Sequence, residues 1–117
     1  MSTSRLYHNP RCSKSREALA LLVENQINPT VVLYLEQTPS VNEISQLLAS
    51  LGFNDARQLM RKSEAEYAAL GLDNPALSQA ELITALAAHP KLIERPVFCH
   101  QDRAIIGRPP ARVLEIL

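Results

Sequence analysis

The residue best suited to chemistry is Cys12, in the run His8-Asn9-Pro10-Arg11-Cys12-Ser13-Lys14-Ser15-Arg16. A cysteine in the turn between a strand and a helix meets unpaired amide N–H groups and the positive end of the helix dipole, and both favour thiolate over thiol. His8, Arg11, Lys14 and Arg16 stand nearby and can stabilise negative charge, so the sequence predicts an acidic, nucleophilic Cys12. The amides of Ser13, Lys14 and Ser15 are placed to cradle a tetrahedral oxyanion in the same turn. A thiolate repels a dianion, so productive attack needs further fixed cations around the anion's oxygens. Three arginines occupy element boundaries: Arg61 after Leu59-Met60, Arg95 before Pro96, and Arg108 between Gly107 and Pro109. Any one of them alone reads as a surface ion-pair residue.

Other residues narrow the chemistry. Ser15 stands where a dithiol oxidoreductase carries the second cysteine of Cys-x-x-Cys. Ala18 stands where a phosphatase-like loop carries its arginine, six positions after the cysteine. Only monothiol chemistry survives locally. The Ser15 hydroxyl reads equally as a donor to the thiolate or as a helix cap. Cys99, inside an apolar strand, reads as core, with a resolving thiol for Cys12 as the competing role. His89 and His100 read as structural, and Arg11, Lys14 and Arg16 as a solvated basic turn able to attract an acidic partner or the carboxylates of a small ligand. No metal-ligand spacing, nicotinamide motif or flavin motif occurs, so no bound cofactor or metal is expected.

Bulk properties exclude other classes. The 117 residues suit one hydrophobic core, and one domain spanning 1–117 is expected. Apolar residues make up 46% and charged residues 21%, the balance of a chain that folds rather than stays disordered. Twelve basic residues offset twelve acidic ones, leaving no global field for nucleic acid or an anionic membrane. The first residues lack an apolar h-region, and no apolar run approaches the ~20 residues of a membrane span. A cytoplasmic location is expected, consistent with only two cysteines.

The positioning elements follow from periodicity. Leu6 and Tyr7 open a strand that stops at His8-Asn9-Pro10. A helix starts near Cys12 or Ser13 with Ala18, Leu19, Leu22 and Val23 on one face, and breaks at 25–29. Val31 to Leu35 reads as a strand buried on both faces of a parallel sheet, completing β-α-β. Capping boxes at Ser40/Glu43, Ser63/Glu66 and Ser78/Glu81 mark helices in an insert from about 40 to 90, with Gly52 and Gly71 as stops. Residues 97–100 and 104–106 read as an antiparallel hairpin turning at Gln101-Asp102, and Pro109-Pro110 begin a last helix. The expected fold class is α/β with a mixed central sheet, in the order β-α-β, helical insert, β-β-α.

The run 8–16 resembles the signature of the glutaredoxin-dependent arsenate reductase family. Val32-Leu33-Tyr34-Leu35-Glu36, Leu59-Met60-Arg61-Lys62, His89-Pro90 with Glu94-Arg95-Pro96, and Ile106-Gly107-Arg108-Pro109-Pro110 are similar to its later blocks, in order. The resemblance implies a thioredoxin-like fold, and Arg95-Pro96 at a strand start is the usual setting of that fold's cis-proline. It further implies Cys12 as nucleophile, Arg61, Arg95 and Arg108 as the arginines that bind and activate the oxyanion, and His8 as the residue tuning the cysteine. The implied activity is reduction of arsenate to arsenite through a Cys12 thioarsenate, with glutathione as co-substrate and glutaredoxin as partner. Two alternatives stand beside it. One is a redox-responsive regulator that binds RNA polymerase, although such relatives typically carry Cys-x-x-Cys. The other is a monothiol enzyme acting on a different oxyanion or a glutathione conjugate.

Overall fold

The protein is described by a computed structural model covering residues 4–117. The described chain packs as two compact units, one formed by residues up to Gln37 together with Arg95–Leu117, the other by Thr38–Glu94.

The first unit holds the sheet. Strand β1 (Ser4–Tyr7) leads into helix α1 (Ser13–Glu24) and returns as β2 (Thr30–Val32). Strands β3 (Val97–His100) and β4 (Arg103–Ile106) form the hairpin, with Gln101 at φ 58° in its turn. Spatial order is β2-β1-β3-β4, with β1 parallel to β2 and antiparallel to β3, and β3 antiparallel to β4. This is the mixed sheet that the element order predicts, and the thioredoxin-like fold that the resemblance implies. Ala18 and Leu22 of α1 pack with Leu6, Phe98, Val113 and Ile116 in one cluster. The last helix is a 3₁₀ helix, Pro110–Ile116, beginning one residue after Pro109.

The segment read as a doubly buried strand departs from expectation. Only Thr30–Val32 pair, and Thr30 and Val31 are exposed, because β2 is an edge strand with β1 as its single neighbour. From Leu33 the backbone turns: the carbonyl of Leu33 accepts from the amides of Glu36 (2.9 Å) and Gln37 (2.7 Å), while Tyr34 folds inward and is buried. The β-branched run therefore supplies a short edge and then a turn.

The second unit is helical. It contains α2 (Val41–Leu51), a 3₁₀ helix at Ala56–Leu59, α3 (Ala65–Ala69), α4 (Gln79–Ala88) and a second 3₁₀ helix at Pro90–Leu92. Ser40 accepts from the Glu43 amide, and Ser78 with Glu81 forms the full reciprocal box. Gly52 closes α2 at φ 75°, a conformation that costs a residue without Cβ little. Ser63 does not cap: α3 starts from Glu64, without a side-chain cap. A box absent from the sequence reading, Asp55 with Gln58, instead opens the first 3₁₀ helix.

Gly107 sits at a close approach within the first unit. A Cβ there would lie 2.9 Å from Val113 Cγ1 and 3.0 Å from Pro96 Cγ, neither of which is the far end of a flexible side chain. Gly107→Ala should therefore destabilise by about 1–3 kcal/mol through overpacking. Thermal unfolding reads this as a lowered Tm; an unchanged Tm would show that Pro96 and Val113 yield without cost.

Candidate active site

Register explains which residues meet. Tyr7 at the end of β1 lies opposite Val97, and Val97 opposite Ile106. The ladder continues one step further, where the Gly107 amide donates to the Pro96 carbonyl at 2.9 Å. The loop that begins at His8 therefore leaves the sheet at the same end where Arg95 precedes β3 and Arg108 follows β4. Both arginines are followed by cis-prolines, Pro96 and Pro109.

The loop is folded by its own polar groups. Asn9 is its hub: its carbonyl accepts from the Cys12 amide (3.0 Å), its Oδ1 from the Arg11 amide (3.0 Å), and its N–H donates to Ser15 Oγ (3.1 Å). Arg16 adds a strap, its guanidinium donating to the Pro10 carbonyl at 2.8 Å. The sequence reading passed over Asn9, although an asparagine closing an Asx-turn over the next two residues is a known turn signal.

Cys12 is the N-cap of α1, with extended backbone at φ −95°, ψ 122°, and is an unbridged thiol. An N-cap side chain faces the second and third amides of its helix, here those of Lys14 and Ser15. Burial pushes the thiol's pKa up, but the Ser15 amide, the Arg95 guanidinium, the Lys14 amide and Arg108 together outweigh it and hold the thiol below its ordinary value. No acidic residue lies in the first turn of α1 to oppose this.

Arg95 is the most telling neighbour. Its Nε and Nη1 are buried, and neither has a hydrogen-bond partner among the described residues. Buried guanidinium donors left unpaired are costly, which singles the group out as one that awaits an acceptor.

His8 and Ser15 form a pair rather than a ring of charge. His8 is 6% exposed, and its Nδ1 lies 2.6 Å from Ser15 Oγ. Burial, with Arg16 adding to it, lowers the His8 pKa from its ordinary 6.5, so the ring is neutral at neutral pH. Ser15 Oγ also accepts from the Asn9 amide at 3.1 Å, so it ties the loop backbone to the His8 ring. The Ser15 hydroxyl therefore faces His8 while its amide faces Cys12.

His8, Cys12, Ser13, Lys14, Ser15, Arg95 and Arg108 all belong to the first unit. Arg61 belongs to the second, where its amide donates to the Leu92 carbonyl at 2.7 Å and its guanidinium is paired with Glu64. Cys99 is buried in β3, and His100 stacks on Phe98 and hydrogen-bonds Ser4 Oγ at 2.7 Å, the structural setting expected of it. No cluster of metal-ligating side chains occurs among the described residues, and no helix there is long and apolar enough to cross a membrane.

Known proteins align with this geometry. A model of the ArsC family matches residues 7–116. The chain is 54% identical over 112 residues to the arsenate reductase of Haemophilus influenzae, covering 96% of this chain and 97% of that protein. It is 43% identical to the arsenate reductase of Neisseria meningitidis over the whole of both chains. The solved arsenate reductase of Vibrio cholerae superposes with a TM-score of 0.96 at 50% identity, covering 99% of this chain and 98% of that one.

Two titrations follow from the site. Alkylation of Cys12 by iodoacetamide should show a pKa below that of a free thiol, and Arg95→Gln should raise it; equal values in both proteins would remove Arg95 from the thiolate's surroundings. The His8 ring, followed by NMR, should titrate below 6.5. Because its folded pKa is depressed, its contribution to stability is present above 6.5 and is lost as pH falls through the folded value. A titration at or above 6.5 would contradict the neutral assignment.

Proposed function

The chain belongs to the ArsC family, and from that premise we propose that it is an arsenate reductase working in the cytoplasm through a covalent Cys12 thioarsenate. The observation that carries the reading is the buried, unpartnered Nε and Nη1 of Arg95 beside a thiol held low by the same guanidinium. An oxyanion beside Arg95 accepts charge-assisted hydrogen bonds from this guanidinium, whose positive charge offsets the anion's repulsion from the thiolate.

The Cys12 sulfur attacks arsenic, forming an S–As bond while one As–O bond breaks and its oxygen leaves as water after protonation. Arg95, Arg108 and the Lys14 and Ser15 amides neutralise charge as it moves onto the remaining oxygens. Reduction needs two electrons, and Ser15 in place of a neighbouring cysteine means that external thiols supply them. Glutathione adds its sulfur to arsenic with loss of a second water. A glutaredoxin thiolate then attacks that sulfur, forming a mixed disulfide and leaving the S–As electron pair on arsenic, which passes from pentavalent to trivalent. Hydrolysis of the Cys12–As bond releases arsenite and restores the thiol. One arsenate and two thiols thus give one arsenite, one disulfide and one water.

Arsenate-dependent NADPH consumption, coupled through glutathione reductase with and without glutaredoxin, tests the reading directly. Turnover should require arsenate, rise with glutaredoxin and vanish in Cys12→Ser. Arg95→Lys should lower kcat/KM by roughly 10²-fold, the usual effect of losing one oxyanion donor. Activity retained in Cys12→Ser would end the covalent mechanism.

A further inference from the structure

A cleft of about 250 Å³ opens between the His8–Arg11 loop and the Leu33–Glu36 turn, wholly within the first unit. It lies beyond the carboxyl ends of parallel strands β1 and β2, the part of an open α/β sheet where loops diverge and ligands bind. The oxyanion chemistry above uses none of its walls except His8.

Its chemistry is specific. Arg11 and Glu36 both line the cleft, yet among the described residues neither side chain has an ion-pair or hydrogen-bond partner, so they stand apart rather than neutralise each other. A cation and an anion held apart over one small cavity match a ligand that carries a carboxylate and an ammonium together. His8 adds a polar atom: with Nδ1 paired to Ser15 Oγ, Nε2 is the imidazole's remaining polar atom. Leu33 and Leu35 supply apolar wall for a short methylene chain, and Leu35 is 41% exposed, which a covering ligand would relieve.

We propose that this cleft is the subsite for the amino-acid end of a zwitterionic low-molecular-weight thiol, with Glu36 taking its α-ammonium and Arg11, assisted by His8, its α-carboxylate. The proposal rests on the reading that an external thiol acts at Cys12, and it names where that thiol is anchored. With its two charges anchored on Arg11 and Glu36, the amino-acid end fills the cleft and the thiol-bearing residue extends out of it. At about 3.3–3.6 Å per extended residue, that residue can run along the loop from Arg11 to Cys12, the next position in the chain.

Glutathione is the probe for kinetics and S-methylglutathione, which cannot react, the probe for binding. Glu36→Lys and Arg11→Met should each raise the KM for glutathione about tenfold, the scale of one charge-assisted hydrogen bond. The KM for arsenate should stay within about twofold, and 2-mercaptoethanol, which carries neither charge, should serve wild type and variants equally. In ¹H–¹⁵N NMR spectra of the wild-type protein, S-methylglutathione should shift the amides of residues 8, 9, 11 and 33–36, and Glu36→Lys should abolish the shifts. An unchanged glutathione KM in both variants, or shifts confined to other residues, overturns the subsite while leaving the reductase reading intact. Absence of arsenate reduction with every thiol overturns the reductase reading, and the NMR map then still decides the subsite.

Discussion

A cysteine at the N-cap of α1, its thiol held below its ordinary pKa, is the constraint around which the rest of the site is arranged. Helix starts offer unpaired amides to any anion, but negative charge on a sulfur at 12 also repels any oxyanion that approaches it. The Lys14 and Ser15 amides help to lower the thiol's pKa, and they carry no formal charge. The missing positive charge comes from Arg95 and Arg108, residues distant in sequence from the cysteine. Each lowers the thiol's pKa, and a charge that favours a sulfur anion favours an oxyanion beside it as well.

That arrangement is a property of strand register. The β1–β3–β4 ladder aligns Tyr7, Val97 and Ile106, and one further backbone bond, Gly107 to Pro96, extends it to the residues flanking both arginines. A side chain at 107 would force this step apart, which accounts for glycine there. The loop carrying Cys12 is fixed separately by Asn9 and by the His8–Ser15 pair, so the sulfur and the arginines are each held by short local hydrogen bonds on a shared sheet end.

Much of this was legible in the sequence where the signal was local. The proline-bounded turn before Cys12, the serine caps of α2 and α4, the hairpin and its turn all depend on neighbours a few residues apart. The length of β2 was not legible, because Val31 to Leu35 has strand composition throughout and only the loss of a second neighbour and the turn at Leu33 end the pairing. Ser63 showed the same capping pattern as Ser40, and the chain used Glu64 instead. The unpaired nitrogens of Arg95, the neutral state of His8 and the cleft between Arg11 and Glu36 depend on packing between segments, which no spacing rule reports.

The most direct measurement is intact-protein and peptide mass spectrometry after incubation of the reduced protein with arsenate and no other thiol. The account predicts one added arsenate less one water, located on the peptide containing Cys12, absent from Cys12→Ser and diminished in Arg95→Lys. An adduct on Cys99 instead, or an adduct of equal yield in Cys12→Ser, would contradict it.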